Sequence, residues 1–321
     1  MKNTFLLIIT LLTGTLGVAQ SGNTCKSWEK GIKNPANYKV LNIRTQELKN
    51  LATHIAKFEN LTGLYFYKNR LKSLPKEVGQ LKNLKQMSIF YNRLSKLPAS
   101  IGQLTQLKKL NLEHNRLSGL PASIGQLTNL TEVNLSENAI TQLPKTIGQL
   151  TQLQKLRLNE NRLQKLPKSI GQLTALKRLA ALGNRIVELP ASIAQLKSLT
   201  YMNLGRNKIK TVPANIGQLK KLERLVFYGN QIKKLPAEIG QLKKLEFLSL
   251  HDNKLKNIPA EIGQLTKLRS LQLNNNQIKA LPKEIGALKG NLKLLYLKGN
   301  PISKAEIAKL KKMLPNTKIE L

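Results

Sequence analysis

Catalysis by this chain would have to run through very few residues, because it holds three histidines, one cysteine and one aspartate. His54, His114 and His251 lie far apart, and no Cys/His spacing matches a metal site, which needs ligands at short, repeated intervals. The glycines recur singly in the tetrapeptide Ile-Gly-Gln-Leu, whereas a phosphate-cradling loop needs several within one turn. No catalytic residue, metal or cofactor is expected, and the chain is not expected to be an enzyme. Leu314-Pro315-Asn316-Thr317-Lys318 approaches the sortase motif LPxTG but has lysine where that motif has glycine, so it reads as the end of a capping helix.

What remains is recognition chemistry, carried by charge and aromatic rings. Lys and Arg total 53 against 17 acidic residues, a formal charge of +36. Such a field draws polyanions without choosing among nucleic acid, lipid headgroup, acidic glycan and acidic protein. Phe and Tyr are scarce, six and seven in 321 residues. Whether these groups act together depends on the elements that hold them.

Those elements repeat. Asparagines stand at Asn69, Asn92, Asn115, Asn138, Asn161, Asn184, Asn207, Asn230, Asn253 and Asn276, each 23 residues after the last, with Asn300 one residue later around an insertion at Gly290-Asn291. Gln46 takes the matching place in a degenerate first unit, giving about twelve repeats. In the unit from Leu107 to Leu130, the apolar positions are Leu107, Leu110, Leu112, Leu117, Leu120, Ile124 and Leu127. Leu110-Asn111-Leu112 alternates with period two, which predicts a short strand. Pro121 to Leu127 has helix-like spacing after a proline suited to a first turn, with Gly125 read as letting the return path bend. A strand with a helical return is one coil of a solenoid, whose core grows only as coils stack.

The pattern LxxLxLxxNxLxxLPxxIGxL resembles the typical leucine-rich repeat, and it covers Tyr38 to Pro301. The resemblance is closest to regular-repeat exported proteins of bacteria and Ras-group repeat proteins. It implies an α/β solenoid: a horseshoe with a parallel sheet on the concave side and short helical or 3-10 segments on the convex side. It also implies that the asparagines form a structural ladder and that a protein partner binds the concave face. A side-chain amide has the donors and acceptor to satisfy backbone groups where coils leave the strand.

Specificity in a solenoid lies where repeats differ. The outward strand positions hold Tyr65, Tyr67, Phe90, Tyr91, Tyr201, Tyr228, Phe247 and Tyr296, most of the chain's Phe and Tyr. They form two clusters, Tyr65, Tyr67, Phe90 and Tyr91 near one end, and Tyr201, Val226, Tyr228, Phe247 and His251 farther along. Exposed aromatics are preferred interface anchors, so these residues with Tyr296 are the candidate ligand-binding set. Arg157, Arg178, Arg206 and Arg224 lie between and beside the clusters as candidate anion-binding residues, among Glu132, Glu137 and Glu160. After the asparagines come Arg70, Arg93, Arg116, Arg162, Arg185 and Lys208, a row of like charges that repel one another.

The ends depart from the repeat. Lys2, the apolar run Phe5–Leu16 and Gly17-Val18-Ala19 read as a signal peptide over 1–19 cleaved near Ala19. An N-terminal cap is expected over 20–37, repeats over 38–301, and a C-terminal cap over 302–321, where Ser303 and Glu306 make a capping box and 318–321 an edge strand. The run is too short to span a bilayer. Gly22-Asn23-Thr24 is no lipobox, so Cys25 is expected to be a free thiol on an exported, monomeric chain without a transmembrane span. The leading expectation is a protein-binding module, the alternative charge-driven adhesion to anionic glycan, lipopolysaccharide or lipid headgroups. Sequence-specific nucleic-acid binding is disfavoured by the lack of any recognition helix or RNA-binding signature.

Overall fold

The structure, a computed structural model, describes residues 23–51 and 53–321. The expected signal peptide therefore lies outside the described residues. Fourteen parallel strands pair strictly in chain order to form one open sheet. Thr24–Cys25 is the first strand, Val40–Arg44 and Gly63–Tyr67 are five residues long, and from Gln86–Ser88 to Leu294–Tyr296 each coil adds a three-residue strand. Lys318–Glu320 closes the series against Leu294–Tyr296. This is the leucine-rich-repeat horseshoe.

Register follows the 23-residue period, so like stacks on like. Leu64, Met87, Leu110, Val133 and Leu156 pair in one buried row, all at most 2% exposed. Leu107, Leu112, Leu117, Ile124 and Leu127 are likewise buried, and Leu120 packs against the core from its edge. Burying one leucine side chain contributes about 1.5–3 kcal/mol, but here the burial exists only when the next coil is in place.

The return path is a 3-10 helix in the repeat coils, five residues long in all but the last, as in Ala122–Gln126. Ile124 donates to Pro121 O and Leu127 to Ile124 O at 3.1 and 3.2 Å, so the bonds close every third residue. The spacing Pro121, Ile124, Leu127 matches that period of three, which sets the apolar side chains above one another facing the core. Gly125 does not bend the path, because its φ is not positive. A Cβ there would stand 2.6 Å from the Thr146 carbonyl of the next coil. Glycine thus permits close stacking of the convex segments rather than a turn.

The asparagines bind coil to coil. Asn161 Nδ2 reaches Leu135 O of the preceding coil at 2.9 Å and Leu158 O and Asn159 O of its own, while its Oδ1 accepts from Ile140 N at 3.0 Å. The same set recurs at Asn184, Asn207, Asn230, Asn253 and Asn276, with Asn69, Asn92, Asn115, Asn138 and Asn300 making close variants. Gln46, one methylene longer, instead accepts from Trp28 N and donates to Lys26 O. It ties the first coil to helix α1 (Trp28–Lys33), whose Trp28 stacks on Phe58 at 5.9 Å. At the other end Ser303 caps helix α2 (Lys304–Met313), accepting from Glu306 N at 3.2 Å.

Candidate functional site

Strand residues alternate between core and concave surface, so the register aligns the outward positions into rows that cross the sheet. The row containing Tyr67, Phe90, Glu113, Tyr228 and His251 lies at the carboxyl ends of the strands. Tyr67 and Phe90, one coil apart, stack with ring centroids 4.4 Å apart. Tyr91 meets both edge-on at 6.0 and 6.4 Å. His114, not placed in the cluster by sequence, stacks on Tyr91 at 3.7 Å. It stands 23 residues after Tyr91, so the repeat period itself carried the signal. Tyr65 lies one row inward; burial raises its hydroxyl pKa above the ordinary tyrosine value, and that hydroxyl donates to Gln86 Oε1 at 2.7 Å.

In the second cluster Tyr228 stacks on His251 at 4.6 Å. Gly205 makes room for it, since a Cβ there would meet the Tyr228 ring at 2.7 Å. Burial raises the Tyr228 pKa, with Arg206 opposing. Val226 is buried, so it supports the patch from beneath rather than forming its surface. Along the row through Arg178, Tyr201, Arg224 and Phe247, adjacent strands pair in register. The Arg178 guanidinium lies 4.5 Å from the Tyr201 ring centre and Arg224 lies 4.3 Å from that of Phe247. Two of the candidate anion-binding arginines therefore each lie on one aromatic ring, each pair contributing about 0.5–1 kcal/mol where solvent reaches it. Arg206 bonds Glu160 at 3.2 Å across Gly183. Arg157 is exposed beside Glu113 and Glu132. Tyr296, opposite Glu320, stands apart from both clusters.

Charge between the clusters is balanced locally. Burial works to raise the Glu132 pKa, but the Lys155 hydrogen bond at 2.9 Å and the charges of Lys155, Lys109 and Arg157 hold it below the ordinary value. Glu113 goes the other way, raised by burial and by Glu137 against its bond to Asn134. The positions just before the asparagines form another row, and there Lys68, Tyr91, His114, Glu137, Glu160 and Arg206 all adopt positive φ of 50–59°. Thr45, Asp252 and Asn275 do the same, and Gly183, Gly229 and Gly299 fill the other three places. A side chain in that conformation costs on the order of 1–3 kcal/mol.

No group of three or more His, Cys, Asp or Glu suited to a metal occurs among the described residues. The concave face thus carries paired rings at two stations, with acidic and basic side chains interspersed between them.

Residues 36–138, 133–200 and 179–274 match the family model described as "Leucine-rich repeat region". A leucine-rich-repeat protein of Leptospira interrogans is similar at 34% identity, over 93% of this chain and 99% of that one, with a TM-score of 0.59. An internalin of Listeria monocytogenes is 23% identical over 90% of this chain and 88% of its own, with a TM-score of 0.68. The octameric complex of Latrophilin 3, Unc5D and FLRT2, in which FLRT2 carries the leucine-rich repeats, provides a match at 23% identity over 82% of this chain and 84% of that one, with a TM-score of 0.66. No curated protein sequence matches the chain.

Proposed function

Because the chain belongs to the leucine-rich-repeat family, whose fold serves in general as a scaffold for protein–protein interaction, we propose that it is an exported binding protein that seats a protein partner on its concave face. The observation that carries this reading is the contiguous ring stack Tyr67–Phe90 with Tyr91–His114, reinforced by Tyr228–His251. Stacked rings on a rigid sheet lose little side-chain freedom on binding, and aromatic residues dominate interface energetics. That a leucine-rich-repeat neighbour forms a multiprotein complex agrees with this use of the fold.

Export is supported by the apolar run Phe5–Leu16 followed by Gly17-Val18-Ala19, with cleavage near Ala19. Among the described residues no helix is long and apolar enough to cross a membrane. Cys25 is buried in its strand, with its thiol donating to Ser27 O at 3.0 Å, which favours a free thiol over a lipidated one. The mature chain is then an N-terminal cap over 20–37, repeats over 38–301 and a C-terminal cap over 302–321, acting as a monomeric, non-enzymatic scaffold.

Photocrosslinking tests the location. A photoreactive amino acid at position 90 or 228 should trap the same discrete protein, while one at position 168 on the convex side should not. Equal trapping from all three positions would remove the concave face from the account.

A further inference from the structure

At the amino-terminal end of the asparagine edge a cleft of about 430 Å³ opens, lined by Lys68, Arg70, Arg93, Arg116, Tyr91 and His114, with Glu47 at one end. The three arginines share one backbone placement, since their backbone N–H groups donate to the carbonyls of Leu48, Leu71 and Leu94, all at 2.9 Å. Arg70 is neutralised by Glu47 at 2.6 Å. Arg93 and Arg116 have no ion-pair partner among the described residues, and both are exposed. Beside them Tyr91 is 45% exposed, with a φ of 59°, positive like the rest of its row. An exposed aromatic ring with no role in the core offers a flat face on which a ligand ring can stack.

We propose that this cleft is a binding site for an anionic saccharide, a sugar bearing sulfate or carboxylate groups, with the sugar ring against Tyr91 and the anionic groups on Arg93 and Arg116. Guanidinium groups grip such oxyanions in bidentate fashion, and the unpaired charges of Arg93 and Arg116 are relieved when an anion bridges them. The Glu47 carboxylate and Thr45 hydroxyl at the end of the cleft supply acceptors for sugar hydroxyls. An inorganic polyphosphate carries no hydroxyl donors for Glu47 and Thr45 and no ring face for Tyr91, so the mixture of isolated cations, acceptors and an aromatic ring favours a sugar over a polyphosphate. The site shares Tyr91 and His114 with the proposed protein-binding patch. Arg93 and Arg116 belong to the cleft alone.

Titration calorimetry at physiological salt tests this with a heparin-type sulfated octasaccharide, its desulfated form, inorganic polyphosphate and phosphatidylglycerol vesicles as probes. Arg93→Gln with Arg116→Gln should weaken sulfated-octasaccharide binding by about tenfold or more. Lys243→Gln with Lys244→Gln, which removes the same charge outside the cleft, should change it less than about twofold. Tyr91→Gly, which relieves the backbone, should lower affinity without lowering Tm. Equal losses from the two double variants would reduce the interaction to diffuse charge and overturn the proposal. So would polyphosphate or vesicles binding the cleft as tightly as the sugar, or no binding of the sulfated octasaccharide to the intact protein. Partner capture by the Arg93 and Arg116 double variant stays intact in either case, which separates this site from the protein-binding reading.

Discussion

Replacing Asn161 with alanine removes one rung of the ladder, and the hydrogen bonds say what is lost. Three carbonyls accept from its amide, and each keeps another donor: Leu135 O retains Asn138, Leu158 O retains Asn184, and Asn159 O retains Glu137 N. Ile140 N has Asn161 Oδ1 as its partner and is left buried without one. An orphaned buried N–H costs about 1–3 kcal/mol, and the three lost amide bonds add about 0.5–1.5 kcal/mol each, so a loss of at least about 2.5 kcal/mol is expected. Urea unfolding followed by circular dichroism measures it. Asn161→Asp adds a sign test. Its carboxylate still accepts from Ile140 N but faces three carbonyl oxygens, so its pKa in the folded state is raised. The stability it contributes is present below the unfolded pKa and lost as pH rises through the folded one. Asn161→Asp should therefore be worse than alanine at neutral pH and recover on acidification. A cost below about 0.5 kcal/mol for the alanine variant, or no pH dependence for the aspartate, would mean that the ladder does not bear on stability in this way.

Gly125→Ala should lower stability by about 1–3 kcal/mol in thermal unfolding, because its Cβ collides with the Thr146 carbonyl, while Gly119→Ala, which meets nothing within 4 Å, should not. Glu113→Gln should raise Tm at neutral pH, since the raised pKa means that the folded state disfavours the carboxylate; the gain should vanish once Glu113 is protonated in acid. Glu132→Gln should do the opposite, losing stability that is present above the unfolded carboxylate pKa and absent at low pH. Both pH series are read by calorimetry.

The fold was legible because one physical requirement, stacking of identical coils, forces one period onto core leucines and ladder asparagines alike. The return segments were less so, since Pro121, Ile124 and Leu127 suit either an α-helical turn or a 3-10 helix, and only the tight coil-to-coil approach at Gly125 selects the compact form. The aromatic positions could be read because outward strand residues alternate with core ones. Their partners could not, because cross-coil contacts depend on side-chain length: Arg178 and Arg224 read as free cations yet lie on Tyr201 and Phe247. The row before the asparagines was opaque for another reason. Its left-handed backbone favours glycine, and residues such as Tyr91 and His114 give no local sign of that strain.

Whether the concave rings hold a protein partner is decided by the affinity of the crosslinked partner, once purified, for the intact chain and for the chain with Tyr65, Tyr67, Phe90 and Tyr91 replaced by alanine. Affinity should fall by at least about thirtyfold, also at high salt, with an unchanged circular dichroism spectrum. Undiminished binding by the correctly folded variant would mean that the partner does not sit on these rings.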